Sequence, residues 1–423
     1  MSLADSIMMI AIPGFFVLMA IELVAARMMR RPVYRLNDAI NSISLGVLSQ
    51  VVGVFAKILS IGIYAVALKH VALFDLSPDN PLTWISALLL YDFCYYWLHR
   101  CGHEVGILWA AHVVHHQSER YNLSTALRQT SSGVLLGWLF YLPLAVLGYP
   151  IEVFATVAVI DLIYQYWIHT ELVGKLGWFD RVFASPSNHR VHHAVNDRYL
   201  DRNYGGILIL WDRLFGTFAE EDPKEPVVFG TRAPLRSWNP LWANAEVYWA
   251  LWQDSRRAKR WPDKLRIWFK PPGWRPADVA ERFPKPDFDI HRTEFNPKLG
   301  GLLGLHALLV FVALTVLGVH FLTVAGSLPT TEAIGYALLL LTSLMLLGAV
   351  MEGRGSASWL QSLWLLTVAV VAVVAGLWFG DLRLSIEARI GVIVATLLLL
   401  VPLWSGQRHR TTASASTQSA SSA

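Results

Sequence analysis

The sequence predicts an all-α integral membrane protein, a multi-span helical bundle that carries a cluster of histidines at the cytosolic ends of its helices. Three observations predict this fold. Hydrophobic residues make up 54% of the 423 residues and charged residues only 16%, whereas a soluble domain has roughly 25% charged residues. Nine apolar runs approach the length needed to cross a bilayer, and basic residues lie in separate groups between them.

Residues 1–80 are predicted to form an N-terminal membrane region with two spans, Ile7–Ala26 and Ile43–Leu68. The first run is long and has no basic segment before it, so it is predicted to be a retained span and not a cleaved signal peptide. Glu22 lies inside this run. A carboxylate within a span is either a functional group or a group close to the lipid headgroups.

Residues 81–220 are predicted to form the catalytic domain, with apolar runs Leu82–Leu98, Ser132–Leu147 and Ile151–Ile168. Only residues 148–150, Gly-Tyr-Pro, separate the last two runs. Such a short connection predicts a tight helical hairpin, which would bring the regions around His112 and His169 to the same face of the membrane.

Residues 221–298 are polar and are predicted to form a cytosolic interfacial segment, because basic side chains and tryptophans alternate within it. This combination is typical of a membrane–water interface. Nucleic acid is not an expected partner, since no nucleic-acid-binding fold accompanies the basic residues. The basic residues and tryptophans are Trp252, Arg256, Arg257, Lys259, Arg260, Trp261, Lys264, Arg266, Trp268, Lys270 and Trp274.

Residues 299–405 are predicted to form C-terminal spans, and residues 406–423 a disordered tail, because the tail is rich in Ser, Ala and Thr and has no hydrophobic pattern. The four predicted C-terminal spans are Leu299–Phe321, Ala333–Met351, Trp359–Phe379 and Ile386–Trp404.

The basic groups predict how the spans are oriented. Arg27 to Arg35 follow the first span and place its end in the cytosol. Alternating crossings then place His99, the region 169–298 and the basic residues Arg408 and Arg410 on the cytosolic side as well. Three separate basic regions therefore agree with one topology.

Most of the 14 histidines fall into short groups near the ends of predicted spans. Residues three or four apart on a helix share a face, so each group can direct several ring nitrogens to one point. Isolated histidines such as His70, His291, His306, His320 and His409 are expected to be structural or solvated. The grouped histidines are His99, His103, His112, His115, His116, His169, His189, His192 and His193.

Nine grouped imidazoles predict a metal centre with two ions, because they exceed the coordination capacity of one. Imidazole suits iron, zinc, copper and nickel, and the residues themselves do not select iron over zinc. Carboxylates are expected to orient the rings, and the nearby candidates in the sequence are Asp92, Glu104, Asp180 and Asp201. Cys101 is a weaker candidate ligand, since histidines surround it.

The order HxxxH, HxxHH, HxxHH across paired spans resembles the fatty acid hydroxylase/sterol desaturase superfamily, from Thr83 to Phe218. Within that superfamily, the amino-acid sequence around the histidines is most similar to that of the branch that oxidises alkylglycerols. The stretches that carry the resemblance are 99–104 (HRCGHE), 108–116 (LWAAHVVHH), 122–129 (NLSTALRQ), 166–171 (YWIHTE), 189–193 (HRVHH), 203–206 (NYGG) and 211–218 (WDRLFGTF).

The resemblance implies an all-helical membrane fold and two iron ions held by the nine grouped histidines, with O2 as co-substrate. Gln165 stands where related hydroxylases have the first histidine of an additional pair, of which His169 is the second. Asn188 stands where a further histidine is expected. Glu104 matches the glutamate of the HRxxHE motif, which is associated with tetrahydrobiopterin dependence. Glu104 is therefore a candidate catalytic and cofactor-binding residue.

The implied function is an O2-dependent hydroxylation of the ether-adjacent carbon of an alkylglycerol, which gives an aldehyde and a glycerol derivative. The implied partners are a membrane lipid, as substrate, and an electron donor, which is tetrahydrobiopterin or a donor protein. An oxidase of the same superfamily that acts on a sterol, fatty acyl or carotenoid substrate is the first alternative. A metal transporter or zinc-storing membrane protein is the second, but a transporter would place its polar ligands near the middle of the bilayer.

Overall fold

A computed structural model describes residues 3–421, with side chains described except at 5, 57, 58 and 407–421. The all-helical prediction is confirmed, with one short strand pair, Leu377–Trp378 and Leu382–Arg383. The helices are α1 Leu3–Met28, α2 Leu36–Val71, α3 Pro81–Glu104, α4 Gly106–His116, α5 Leu123–Ala126, α6 Gly133–Leu147, α7 Ile151–Trp167, α8 Pro186–His192, α9 Leu210–Phe215, α10 Pro240–Arg257, α11 Trp261–Phe269, α12 Ala277–Arg282, α13 Gly301–Val324, α14 Thr330–Met351, α15 Ala357–Ala375 and α16 Ile386–Ser421. The predicted disordered tail falls almost entirely on residues whose side chains lie outside the described set, and it stays a prediction.

The chain is a multi-pass membrane protein, but fewer of its helices qualify as spans than the nine apolar runs suggest. α6 has 15 residues and α7 has 17, which puts them below or at the lower limit for crossing a bilayer. α3 is longer, but it combines its apolar residues with Asp92 and the polar run that begins at His99. The six described segments that are long and apolar enough to cross are Ser6–Met28, Leu36–Ala56, Gly301–Val324, Thr330–Met351, Ala357–Ala375 and Ile386–Gly406.

The hairpin between α6 and α7 forms as the sequence predicts. α6 ends at Leu147 and α7 begins at Ile151. Gly148 has φ +90°, and a Cβ atom there would lie 1.8 Å from the carbonyl oxygen of Phe74. Only glycine fits a left-handed position so close to another backbone segment.

One compact unit consists of Met1–Arg35, Phe55–Leu235 and Asn244–Thr293. Inside it, α3 packs against α4, α6 and α7, so the two histidine-bearing helices α3 and α4 rest on the hairpin. The core beneath them contains Tyr64, Ala87, Leu144 and Val153, each at most 3% exposed. Burial of this apolar layer fixes the height and rotation of α3.

A second compact unit consists of Leu36–Val54, Arg236–Ala243 and Glu294–Ala423. In this unit α13 packs against α14 and α16, and α15 packs against the same two helices. The four helices therefore form a closed ring of neighbours, and Leu303, Val350, Ala357 and Leu403 pack together as one buried layer. The domain boundaries predicted from sequence remain a prediction.

Candidate metal centre

The nine grouped histidines converge in the structure as two adjacent groups. Within each group the candidate ligand atoms all lie within 4.8 Å of one another. All nine rings are buried except His112, which is half-buried. Among the described residues, the first group is His99, His103, His112, His116 and His192, and the second is His115, His169, His189 and His193.

Helical spacing explains why a small number of segments can supply the histidines of both groups. His99 and His103 lie one turn apart on α3, and His112 and His116 lie one turn apart on α4. Neighbouring histidines point in different directions on a helix, so each HxxHH sequence is divided between the groups. His116 and His192 belong to the first group, whereas their neighbours His115 and His193 belong to the second.

Backbone carbonyl groups fix the orientation of four rings. The Nδ1 atom of His99 lies 2.8 Å from the carbonyl oxygen of Tyr204. The corresponding partners are Arg128 for His115 at 3.0 Å, Gln165 for His169 at 2.7 Å and Arg202 for His192 at 3.0 Å. A carbonyl can only accept, so Nδ1 carries the hydrogen and Nε2 presents a lone pair. This arrangement is typical of metal-binding histidines.

The lone pairs of these rings face one another at short distance. The Nε2 atoms of His115 and His169 are 3.1 Å apart, and so are those of His169 and His189. The buried Nε2 atoms of His99 and His192 have no hydrogen-bond partner in the described structure. Buried acceptors without donors are costly. A cation at each group would satisfy all of them, so the residues fit a metal-binding function.

The electrostatics of the site favour neutral rings, which are the form that binds metal. Burial lowers the pKa of His115 to about 4, and the hydrogen bond to the backbone carbonyl of Arg128 offsets only part of this shift. At neutral pH the His115 ring therefore does not need to lose a proton before a metal binds.

Of the four candidate orienting carboxylates, Asp201 lies beside a ring, with Oδ1 3.5 Å from Nδ1 of His103. Asp180 instead accepts a hydrogen bond from the backbone of Leu176. Glu104, the last residue of α3, pairs with Arg100 at 2.9 Å, and its side chain is 43% exposed. Glu104 is outside both histidine groups.

Asp92 supports the site through the backbone that follows Tyr204. Its carboxylate accepts hydrogen bonds from the amides of Ile207 and Leu208 and from the indole of Trp211. Asp212 accepts from the amide of Tyr204 at 2.8 Å and from that of Gly205 at 2.7 Å. These contacts hold the carbonyl group that orients His99.

A buried ion pair anchors α8, which carries His189 and His192 and is followed directly by His193. Arg190 donates two hydrogen bonds to Glu221, at 2.8 and 2.7 Å. Its Nη1 atom also donates to the carbonyl groups of Thr170 and Val173. The side chains of Arg190 and Glu221 are only 8% and 17% exposed. The fork of the guanidinium thus joins α8 to the segment that follows His169.

The remaining candidates of the sequence analysis lie outside the two groups. The side-chain amide of Gln165 accepts a hydrogen bond from the hydroxyl group of Tyr95 and donates one to Asp161. Only the backbone carbonyl oxygen of Gln165 contacts the His169 ring. Asn188 donates to the carbonyl groups of Asp180 and Phe183. Cys101 is a half-buried free thiol.

Glu22 has a structural role in the described residues. Its buried carboxylate accepts hydrogen bonds from the hydroxyl groups of Tyr34 and Thr170 and from the amide of Leu123. Thr170 directly follows His169, so this carboxylate joins α1 to the segment that carries a candidate ligand.

Sequence reasoning did not identify the residues that orient the rings through their backbone. Tyr204, Arg202 and Arg128 act through carbonyl oxygens, and a carbonyl leaves no side-chain signature. Asp212 and Glu221 were also missed. The only signal for Asp212 was its place within the 211–218 stretch of the resemblance, and nothing in the sequence singled out Glu221.

Comparisons with known proteins show which families this chain resembles. A fatty acid hydroxylase profile matches residues 84–217. Alkylglycerol monooxygenase of Homo sapiens is 42% identical over 63% of this chain and 60% of its own length. The match therefore covers less than two thirds of that relative. That of Xenopus tropicalis is 36% identical over 82% of this chain and 78% of its own length. An ornithine lipid hydroxylase of Rhizobium tropici is 31% identical over 35% of this chain and 46% of its own length. No solved structure gives a significant match.

Proposed function

Because this chain belongs to the fatty acid hydroxylase family, we propose that it is a di-iron monooxygenase that hydroxylates the ether-adjacent carbon of alkylglycerol lipids. The observation that carries the proposal is the pair of all-histidine groups with inward-facing lone pairs. The similarity to alkylglycerol monooxygenases extends well beyond the histidine boxes, over 82% of this chain in one case. That extent supports the alkylglycerol as substrate over other lipids.

In this proposal the nine grouped histidines are the metal ligands, five for one ion and four for the other. Structural zinc sites are almost always four-coordinate and often include cysteine. The five rings of the first group exceed that number, and no cysteine, aspartate or glutamate belongs to either group in the described residues. This ligand set disfavours a structural zinc site, and the choice of iron rests on the family to which the chain belongs. Bound iron would supply the activation of O2.

The overall reaction balances with one external two-electron donor. O2 takes up four electrons, of which two come from the C–H bond and two from the donor. One oxygen atom enters the new C–O–H group, and the other leaves as water with two protons. The hydroxylated ether is a hemiacetal. Its collapse breaks the bond to the glycerol oxygen and releases an aldehyde and a glycerol derivative.

Glu104 is proposed to contact the reductant, which is a reduced pterin or a donor protein. Its partly exposed carboxylate is paired with Arg100 and lies one residue after His103. A carboxylate is a natural acceptor for the amine groups of a pterin. Orientation of His103 is assigned to Asp201 instead, because that carboxylate is the one beside the ring.

The site is proposed to face the cytosol. Arg27 and Arg31 lie at and just beyond the end of α1, and positive charge near the end of a span favours the cytosolic side. Arg31 bonds to the carbonyl oxygen of Glu171, two residues after His169. The basic end of α1 and the histidine site thus share one side of this unit.

The proposal is tested by the fate of the oxygen atom. Purified protein in lipid nanodiscs would receive hexadecylglycerol, reduced pterin and 18O2, and the aldehyde would be reduced at once to the alcohol. Hydroxylation followed by hemiacetal collapse predicts 18O in the hexadecanol and none in the glycerol. Hydrolytic cleavage would leave both unlabelled and refute the proposal. A sterol, a free fatty acid and a carotenoid would be tested in parallel, and oxidation of one of these alone would favour the alternative substrate class.

A further inference from the structure

A cavity of about 290 Å³ lies between α2, α3, α6 and α7. Its walls are formed by apolar, aromatic and glycine residues and by one serine, with no charged side chain among the described lining residues. The lining residues include Leu98, Gly133, Val134, Gly137, Tyr141 and Phe154. A cavity of this composition suits an aliphatic chain and not a polar headgroup.

The cavity runs along α6, and two glycines of that helix line it. Gly133, Gly137 and Tyr141 are spaced four residues apart, so they share a face. At 1.5 Å per residue, the distance from Gly133 to Tyr141 is about 12 Å. A Cβ atom at Gly137 would lie 3.4 Å from Cδ2 of Leu98. A larger side chain at Gly137 would therefore fill the cavity between α6 and α3.

One end of the cavity lies at the level of the histidines. Leu98 lines the cavity and directly precedes His99. A Cβ atom at Gly133 would lie 3.7 Å from the carbonyl oxygen of Ala111, which directly precedes His112. Two ligands of the first histidine group thus neighbour residues at this end.

Aromatic rings line the other end. Tyr141 stacks on Tyr91, with ring centroids 4.5 Å apart. Phe154 stacks on Tyr64, with centroids 4.2 Å apart. These stacked pairs bound the cavity at the end away from the histidines, where the tip of an aliphatic chain would contact them.

We propose that this cavity holds the alkyl chain of the lipid substrate and that its depth selects chain length. This inference rests on the proposed function, since it assigns a subsite to the same reaction. The occupant is a substrate chain and not a bulk lipid tail, because the cavity begins beside the histidine-bearing helices α3 and α4.

The first test shortens the cavity. Gly137→Leu would block the passage between α6 and α3, whereas Gly62→Leu would add the same side chain in open space on α2, outside the cavity. Each buried methylene contributes roughly fourfold to binding. Gly137→Leu should therefore lower kcat/KM for hexadecylglycerol at least tenfold relative to octylglycerol, and Gly62→Leu should leave that ratio unchanged. An unaltered ratio in a folded Gly137→Leu protein would overturn the proposal.

The second test needs neither a variant nor turnover. A hexadecylglycerol with a diazirine near the end of its chain would be photolysed with the wild-type protein in nanodiscs, and the adducts mapped by mass spectrometry. Adducts at Tyr141 or Phe154 that unlabelled hexadecylglycerol suppresses would support the subsite. Adducts spread over exposed positions such as Ile10 of α1, without competition, would indicate bulk lipid and reject it. If adducts that are suppressed by competitor form but no turnover is observed, the proposed function is refuted and the subsite is supported.

Discussion

The Nε2 atom of His115 lies 3.1 Å from the Nε2 atom of His169, and each ring directs its Nδ1 hydrogen to a backbone carbonyl. Two imidazoles in this state cannot form a hydrogen bond with each other through Nε2, because both atoms are acceptors. The approach is favourable only when a cation lies between or beside them. This pair therefore argues for a metal more directly than the number of histidines does.

Removal of His169 should deplete one metal position and spare the other. His169→Ala deletes one of four ligands of the second group and leaves the first group intact. Elemental analysis should show iron content falling from about two to about one per chain. His291→Ala, at an exposed position outside both groups, is the matched control and should retain the wild-type content. Complete loss of iron in His169→Ala would mean that the two groups do not bind independently.

Asp201→Asn should weaken metal binding at the first group. The carboxylate lies beside Nδ1 of His103, and loss of such an orienting partner typically costs 10–100-fold in metal affinity. Because Asp201 is 47% exposed, we expect about tenfold, measured by competition with a chelator. Asp197→Asn, which removes a 93% exposed carboxylate paired with Arg232, should have no effect. Equal effects of the two substitutions would contradict an orienting role.

Glu221→Gln should destabilise the protein, because it leaves Arg190 buried without its anionic partner. Breaking a buried ion pair costs about 3–5 kcal/mol. Glu220→Gln breaks a contact of the same 2.7 Å length to Lys175, but there the carboxylate is 70% exposed, and such pairs contribute about 0–1 kcal/mol. Thermal unfolding in nanodiscs should show a clearly lower Tm for Glu221→Gln alone. Similar Tm values for both variants would remove the argument that this pair anchors α8.

Glu104→Gln should separate metal binding from reduction. Since Glu104 pairs with Arg100 and belongs to neither histidine group, the variant is expected to keep both irons and to show a higher KM for the reduced pterin. Iron loss would instead indicate a role in holding the histidines. Full activity with unchanged iron content and KM would show that Glu104 has neither role.

Labelling should establish which side of the membrane the site faces. Glu281→Cys places a thiol at an exposed position of α12, and Asp79→Cys places one at an exposed position between α2 and α3. With α3, which is 24 residues long, returning the chain across the membrane, a cytosolic site predicts that an impermeant thiol reagent labels only Asp79→Cys in intact cells. The wild-type protein, with Cys94 buried and Cys101 half-buried, gives the background. Labelling of Glu281→Cys without lysis would reverse the proposed orientation.

The histidine groups could be predicted from sequence because helical periodicity converts spacing into direction. HxxxH on α3 requires two rings on one face, and both HxxHH segments require neighbouring rings to diverge. How the divergent rings pair across segments could not be predicted, because it depends on the packing of α3, α4 and α8. His192 joins the group of His99, whereas His193 joins that of His169.

The membrane spans were predicted less well than the histidines. Apolar composition identified α6 and α7, and the predicted run Ser132–Leu147 was already nearly as short as the 15-residue helix α6. The compact units also join distant segments, since Leu36–Val54 belongs with the C-terminal helices and Phe55–Leu235 does not. A sequence gives no sign that one continuous helix, α2, contributes to two units. The cavity along α6 was missed for a similar reason: two glycines in an apolar run look unremarkable until Leu98 is seen opposite them.

The metal content of the wild-type protein decides whether the two histidine groups form a di-iron centre. Protein purified without oxygen and loaded with ferrous ion should hold two irons per chain by elemental analysis, and Mössbauer spectra should show nitrogen-ligated ferrous sites. Both irons should be retained through gel filtration, because neutral buried rings bind them. A protein that holds one tightly bound zinc and takes up no iron would contradict the account.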